Sequence, residues 1–185
     1  MTKVAVIVLG DIGRSPRMRN HAVALAKEGH YVTIIGYGGS ALDDDISSNP
    51  NISIKIMPEP FTYRFIFKKY GNYIVKCLWQ SLTLLWCIGI PDFILLQNPP
   101  AIPVLPFCYL YCTMLNPILF VFGKNIQLVL DWHNYAYSIM ALSFNNSCSH
   151  PLVRLSRFIE SKLFRKNKYY KLNPCLPSEK SWGKA

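Results

Sequence analysis

Residues 3–36 decide the fold, and they read KVAVIVLGDIGRSPRMRNHAVALAKEGHYVTIIG. The run 4–9 is continuously apolar and rich in β-branched side chains, which is typical of a strand buried on both faces of a parallel sheet. Apolar spacing after the glycine-containing loop predicts a helix over Pro16–Lys27, which Gly29 ends. Residues 31–36 are again apolar and predict a second strand. Strand, loop, helix and strand in this order predict a β-α-β unit of a Rossmann-like parallel sheet with helices on both faces.

The loop between the first strand and the helix predicts a site for an anion. Gly10 and Gly13 allow a ligand to approach the backbone closely, and the first amides of the helix point outward. Arg14 and Arg17 add positive charge, which suits a phosphate or an acidic sugar-lipid head group. Ser15 is the expected N-cap of the helix. The Gly-x-x-Gly spacing matches neither the dinucleotide fingerprint nor a Walker A loop, and a plain glycine turn with solvated arginines is the alternative.

Polar residues follow two further predicted strands at the points where they end. Residues 93–96 predict one buried strand, and Gln97-Asn98-Pro99-Pro100 follow it. Residues 126–130 predict another, and Asp131-Trp132-His133-Asn134-Tyr135 follow that strand. Ligands of open α/β sheets bind at the carboxyl ends of the strands, so these residues are candidates for a binding site.

Each of these polar residues has a possible role and a plainer alternative. Asn98 can bind sugar hydroxyls, although it can also simply cap a turn. Asp131 or His133 can accept a proton from a sugar hydroxyl, and Trp132 and Tyr135 can stack on a sugar face. From the residue pattern alone, a buried histidine bonded to the backbone is the preferred explanation of His133, because a lone histidine specifies little.

Four stretches in order along the chain resemble one enzyme family. They are residues 6–18 with His21, 96–100, 131–135 with 137–140, and His150-Pro151-Leu152. Over about residues 3–166 the chain is similar to the chitobiosyldiphosphodolichol β-1,4-mannosyltransferases, which add the first mannose to the lipid-linked oligosaccharide of N-glycosylation. The resemblance implies the N-terminal domain of a GT-B type glycosyltransferase, in which this domain holds the acceptor and a C-terminal domain grips the donor.

The resemblance also implies the reaction. Mannose would pass from GDP-mannose, with inversion and without a metal or cofactor, to the 4-hydroxyl of the distal N-acetylglucosamine of dolichol-diphosphate-linked chitobiose. His133 is the first candidate for the base and Asp131 the second. The two glycines and two arginines of the first loop would border the cleft and meet the diphosphate. The implied location is the cytosolic face of the endoplasmic reticulum membrane.

The length of 185 residues suits one α/β domain. We expect residues 1–166 to form the acceptor-binding domain and residues 167–185 to be a divergent, disordered tail, with the donor-binding domain absent. A chain of this kind is expected to have little activity alone. The alternative is a non-enzymatic module that binds the acceptor lipid or a protein partner supplying a donor domain.

Charge and hydropathy favour a membrane surface over nucleic acid as a partner. The net charge is +10, but the basic residues are scattered among apolar runs, and 51% of all residues are hydrophobic. Members of the family usually carry a membrane helix before the first strand, and no such segment precedes Lys3, so anchoring is expected either elsewhere or not at all. Basic and aromatic residues interleave over 61–87, which suits a bilayer headgroup region. Within it the helical spacing of Ile74, Leu78, Leu82 and Leu85 favours packing in the core.

Residues 102–122 are uncharged and pass for a membrane span by hydropathy. Pro103, Pro106 and Pro117 are expected to interrupt them, so a core helix with one lipid-facing side is the preferred interpretation. The spacing also predicts an amphipathic helix over 152–166, with its apolar face formed by Leu152, Leu155, Ile159 and Leu163.

Cysteines and acidic residues give no metal pattern. The six cysteines show no Cys-x-x-Cys spacing, so free thiols in a reducing compartment are expected. The triplet Asp43-Asp44-Asp45 predicts an exposed acidic loop more readily than a cation site.

Overall fold

A computed structural model describes residues 1–59, 69–98, 102–132, 134–143, 149–165 and 170–172. The strands are β1 (Lys3–Asp11), β2 (Tyr31–Tyr37), β3 (Ile52–Ile56), β4 (Phe93–Asn98), β5 (Gln127–Trp132) and β6 (Tyr170–Leu172). The helices are α1 (Pro16–Lys27), α2 (Asp44–Ser47), α3 (Lys69–Ile88), α4 (Val104–Val121), α5 (Ala136–Ser143) and α6 (Pro151–Arg165). A single 3-10 turn, Ile12–Arg14, joins β1 to α1.

The described strands form one parallel sheet in the order β3-β2-β1-β4-β5-β6. This order is that of a doubly wound Rossmann sheet, so the predicted fold class is confirmed. Alternate residues of β1 face opposite layers: Val6 packs with Met18 of α1, whereas Ile7 packs with Leu84 of α3 and Leu105 of α4. The core therefore consists of two apolar layers, one on each face of the sheet.

Helix α1 has the predicted bounds, and Gly29 follows it with the positive φ of 81° that the predicted stop requires. Ser15 occupies the predicted N-cap position, but its hydroxyl makes no capping bond and instead donates to Gln97 Oε1 at 3.1 Å. The predicted acidic loop also differs, since Asp44–Ser47 forms the short helix α2. Hydrogen bonds from Ser47 and Ser48 to main-chain oxygens of Asp43 and Asp44 support this turn.

Helix α4 is continuous through Pro106 and Pro117, so the predicted interruption is wrong. Pro106 lies in the first turn, where a missing N–H leaves no helical bond unmade. Pro117 follows Asn116, whose amide group accepts from Ile126 N at 2.8 Å and donates to Ile126 O at 3.0 Å. These bonds tie the end of α4 to the start of β5. The predicted core helix with an exposed apolar side is confirmed: Cys108 and Cys112 are buried, and Met114 and Ile118 are exposed.

The apolar stripe of α3 is a further correction. Ile74, Leu78, Leu82 and Leu85 were expected in the core, and all four are exposed. The core is contacted instead by Leu84, Cys87 and Ile88. Helix α3 carries apolar residues on more than one face, and spacing alone does not say which face meets the sheet.

Helix α6 and strand β6 also depart from expectation. The buried face of α6 contains Val153, Ser156 and Glu160, whereas Leu155 is exposed. The side chain of Leu163 lies outside the described residues. Tyr170–Leu172 pairs in parallel with β5, so this part of the expected tail is a strand. The rest of 167–185 lies outside the described residues.

The buried cysteines Cys87, Cys108 and Cys112 carry free thiols, as predicted. Burial raises the pKa of Cys112 to about 11, which keeps this thiol protonated and unreactive.

Candidate functional site

The carboxyl ends of β1, β4 and β5 bring the predicted polar residues to one edge of the sheet. Gln97 lies opposite Asp131 in the register, and Asn98 lies opposite Trp132. Successive strand residues point to opposite faces. Gln97 and Asp131 therefore face α1, whereas Asn98 faces the layer that contains α3 and α4. The result is two polar clusters, one on each side of the edge.

The first cluster joins α1 to β5. Arg17 donates from Nε to Asp131 Oδ2 at 2.5 Å and from Nη2 to Oδ1 at 2.6 Å. Asp131 is fully buried, and Arg17 is 35% exposed. The hydrogen bonds from Arg17 to Asp131 raise the pKa of Arg17 above its ordinary value. Each carboxylate oxygen accepts a hydrogen bond from Arg17, so Asp131 is placed to hold this guanidinium.

His21 completes this first cluster. Its Nε2 atom lies 3.5 Å from Asp131 Oδ2, and among the described residues it has no hydrogen-bond partner. We call Arg17, Asp131 and His21 the α1 cluster. It places one permanent cation and one imidazole around a single buried carboxylate.

The glycine loop is closed by its own carboxylate. Asp11 accepts from Gly13 N at 2.9 Å and from Ser40 Oγ at 2.5 Å, and Arg14 Nε lies 3.6 Å from it. The hydrogen bond from Ser40 lowers the pKa of Asp11 most, with smaller contributions from the backbone bonds and the charge of Arg14. The Gly13 amide is therefore bound by a side chain of the same loop. Arg14, 82% exposed, is the loop cation that faces solvent.

The two loop glycines serve different purposes. A Cβ on Gly13 would lie 2.7 Å from Ser40 Cβ and 2.9 Å from the main-chain oxygen of Ala41. Gly13 is thus needed for the close approach of two loops of the chain. A Cβ on Gly10 would meet nothing within 4 Å, so the space above Gly10 is open.

The second cluster lies on the other face and contains a residue that the sequence analysis missed. Glu160 of α6 accepts from Asn98 Nδ2 at 3.0 Å, from Ala136 N at 2.8 Å and from Tyr137 N at 3.3 Å. Burial raises the pKa of Glu160, and these hydrogen bonds partly offset the effect. Asn98 also donates to Asn134 O at 3.4 Å and is itself buried, so its amide serves the chain's own contacts. We call Asn98, Glu160 and the first amides of α5 the Glu160 cluster.

Aromatic residues stand beside the Glu160 cluster. The ring centroids of Tyr135 and Tyr137 are 5.3 Å apart, and the guanidinium carbon of Arg157 lies 5.8 Å from the Tyr137 ring centroid. The remaining two predicted site residues are His133 and Trp132. His133 and the side chain of Trp132 lie outside the described residues. Within the described part of the chain, no group of three histidine, cysteine or acidic residues is arranged to hold a metal ion.

Comparison with known proteins gives relatives that are named as glycosyltransferases. No family model matches the chain. A chitobiosyldiphosphodolichol beta-mannosyltransferase of Dictyostelium discoideum is 38% identical over 185 residues, which is 91% of this chain and 36% of that protein. The human protein of the same name is 36% identical over 176 residues, covering 94% of this chain and 35% of its own length. The chain is homologous to part of the chitobiosyldiphosphodolichol beta-mannosyltransferases. The resemblance stated from the sequence motifs is thereby confirmed.

The homology has a limited extent. The chain spans about a third of the length of the mannosyltransferases that it matches. A protein of Arabidopsis thaliana named UDP-glycosyltransferase TURAN is 36% identical over 169 residues, covering 86% of this chain and 33% of that protein. Among solved structures, the crystal structure of a glycotransferase of kitacinnamycin covers 85% of this chain and 38% of its own, with 12% identity and a TM-score of 0.39. That structural likeness is too distant to support an argument about the site.

Proposed function

We propose that this chain is the acceptor-binding part of an enzyme that transfers mannose from GDP-mannose to dolichol-diphosphate-linked chitobiose. The observation that carries the proposal is the exposed Arg14 beside the open backbone at Gly10, at the carboxyl edge of a sheet homologous to part of these mannosyltransferases. Arg14 would bind the diphosphate, with help from the amides of Arg17 and Met18 in the first turn of α1. Tyr135 would stack on a sugar ring.

The proposed chemistry divides between this chain and the rest of the enzyme. His133 would take the proton from the acceptor hydroxyl, and Asp131 would hold Arg17 in place because both its oxygens bind the guanidinium. The donor nucleotide would be gripped by the remaining two thirds of the enzyme, or by a protein partner that supplies them. We therefore expect no mannosyl transfer by the purified chain with GDP-mannose, measured with a radiolabelled donor. Transfer by the chain alone would contradict this division.

The acceptor proposal predicts a specific effect of Arg14→Ala. Loss of one charge-assisted contact to a diphosphate should weaken acceptor binding about tenfold, equivalent to about 1.4 kcal/mol. Isothermal titration of the 185-residue chain with a short-chain chitobiosyl-diphospholipid measures the dissociation constant. Lys27→Ala is the matched control, because Lys27 is an exposed cation at the opposite end of α1.

The control separates two explanations of weakened binding. An equal loss in Lys27→Ala would mean that overall charge drives the binding. Unchanged binding in Arg14→Ala would remove the observation on which the proposal rests. Tight binding without transfer, even when the rest of a relative is added, would favour a non-enzymatic acceptor-lipid module.

The exposed side of α3 and α4 supports a membrane-associated location. Among the described residues, α4 is the one helix long and apolar enough to cross a bilayer, with a mean hydropathy of 1.7 and 28% of its residues buried. Helix α4 connects β4 to β5, which pair in parallel. If α4 crossed the bilayer, these two strands would lie on opposite sides of the membrane and could not pair. We propose that α4 and α3 lie against the cytosolic face of the endoplasmic reticulum membrane without spanning it.

Two exposed aromatic side chains near the ends of α3 and α4 allow the membrane proposal to be tested. Trp86 is 90% exposed and Phe120 is 80% exposed. Replacing both with serine should weaken binding to liposomes with anionic lipids about tenfold, measured by cosedimentation, because two large apolar side chains leave the interface. Leu142→Ser in α5 is the control, since Leu142 is exposed and apolar but lies on another helix. Equal liposome binding by the double variant and the wild type would contradict the proposal.

A further inference from the structure

Glu160 is a buried acid in an unusual position, since the group that it caps belongs to another helix. Its side chain projects from α6, and its carboxylate meets the first two amides of α5. Only 2% of the residue is exposed. Among the described residues, no cation lies within ion-pair distance of it. The charge is instead met by three N–H donors and by the positive end of α5.

A merely stabilising cap would not need this arrangement. A surface serine or aspartate at the N-cap satisfies the same amides without burying a charge. Burial is the largest influence on Glu160, and it raises the pKa because the ionised form is disfavoured there. At neutral pH the ionised Glu160 therefore costs folding free energy. Residues that cost stability and hold a polar segment in one place are found at functional sites.

The segment that Glu160 holds lies at the candidate site. Asn98, at the end of β4, links Glu160 Oε1 to the main-chain oxygen of Asn134. Ala136 and Tyr137 are bound directly, and Arg157, one turn earlier on α6, lies over the Tyr137 ring. Residues 134–137 are thus fixed from both the sheet and α6. Tyr135 lies inside this span, with its ring against Tyr137.

We infer that Glu160 is a positioning residue, which fixes residues 134–137 at the carboxyl edge of the sheet and thereby sets where Tyr135 meets an acceptor sugar. The inference deepens the proposed acceptor site and rests on it for the identity of the ligand. Glu160 itself touches no substrate in this scheme. It acts through the backbone of α5 and through Asn98.

Glu160→Gln tests the inference because the variant keeps the shape and removes the charge. The Gln oxygen can still accept from Ala136 and Asn98, but its NH₂ group would face the Tyr137 amide, and the segment should loosen. We expect acceptor binding to weaken about tenfold and hydrogen exchange in residues 134–140 to speed up about tenfold. The melting temperature should stay the same or rise, since a buried charge is removed. Glu28→Gln, at the exposed end of α1, is the control and should change neither binding nor exchange.

The pH dependence adds a readout that a simple packing defect would not move. Protonation of wild-type Glu160 removes the same acceptor that the variant lacks. The difference in acceptor affinity between wild type and Glu160→Gln should therefore shrink as the pH falls through the raised pKa of Glu160 towards its ordinary value of 4.5. The groups that bind the carboxylate are Asn98 of β4 and the α5 amides, and Arg157 of α6 lies over the Tyr137 ring beside them.

The outcomes separate the inference from the proposed function. A parallel loss of melting temperature and affinity in Glu160→Gln would make Glu160 a structural cap and overturn the inference. Unchanged affinity and exchange would overturn it as well. If the wild type binds no acceptor at all, the proposed function fails. The exchange measurement then decides alone: faster exchange at residues 134–140 with an unchanged melting temperature supports the positioning of this segment, and unchanged exchange refutes it.

Discussion

Replacing Arg17 with alanine is expected to lower the free energy of unfolding by about 3 kcal/mol. The substitution leaves the carboxylate of Asp131 fully buried with no guanidinium against it. The value is at the lower end of the range for a broken buried pair because Arg17 is partly exposed, so some solvent already reaches the pair. Urea denaturation of the wild type and the variant, followed by circular dichroism, measures the difference.

Asp131→Asn provides the matched comparison for this ion pair. It leaves Arg17 unpaired, but the guanidinium can turn towards solvent, so the cost should be about 1 kcal/mol. The double variant Arg17→Ala with Asp131→Asn should recover about half of the loss seen in Arg17→Ala, since no charge is then buried alone. Equal and additive costs of the two single substitutions would contradict the coupling that the two short hydrogen bonds indicate.

The second large effect is expected from Gly13→Ala, at about 2 kcal/mol of lost stability. The added methyl group would overlap Ser40 and the main-chain oxygen of Ala41, and backbone cannot move aside as a flexible side chain can. Ser40 also binds Asp11, so displacing it weakens the contact between the two loops. Gly10→Ala is the control and should change stability by less than about 0.5 kcal/mol, because its methyl group enters open space.

Binding measurements distinguish the two roles that a glycine in this loop can have. A Gly13→Ala variant that keeps full stability but loses acceptor binding would mean that the glycine admits a ligand, as the spacing alone suggested. If Gly13→Ala loses stability and Gly10→Ala loses acceptor affinity, Gly13 serves the packing of the two loops and Gly10 the approach of the ligand.

The fold was predictable where a local pattern was enough. The bounds of α1 followed from apolar spacing and a glycine stop, and the strand ends located Asn98 and Asp131 at the carboxyl edge. Helix α3 shows the limit, because two of its faces are apolar and only the position of the sheet selects the face of Leu84. The prolines of α4 wrongly predicted an interruption of the helix. Pro106 lies in the first turn, and Pro117 follows Asn116, whose side chain bonds to Ile126 at the start of β5.

The partners of the site residues were beyond prediction from spacing. Arg17 and Asp131 are 114 residues apart, and Asn98 and Glu160 are 62 apart. Such pairs depend on the strand order and on which layer each helix joins. Arg17 was therefore interpreted as a ligand-binding cation although a carboxylate of the same chain binds it. Glu160 gave no signal in the sequence, because the predicted apolar face of α6 did not contain it and its burial depends on how α6 packs.

The central position of β4 has a consequence for the chain during its synthesis. Val4 of β1 pairs with Phe93 of β4, so the middle of the sheet cannot close until residue 93 has been made. Because protein synthesis adds roughly 5–20 residues per second, Phe93 is made about 4–18 s after Val4. Helix α3 is complete before that strand arrives, and its surface near Leu84 has no finished layer to pack against. The same apolar layer also needs α4, whose last residue, Val121, follows Ile88 by 33 residues and thus by about 2–7 s. The nascent chain therefore carries α3 unprotected for seconds, and substitutions of its exposed apolar residues, such as Leu78 and Leu82, are expected to act on folding yield more than on the stability of the finished domain.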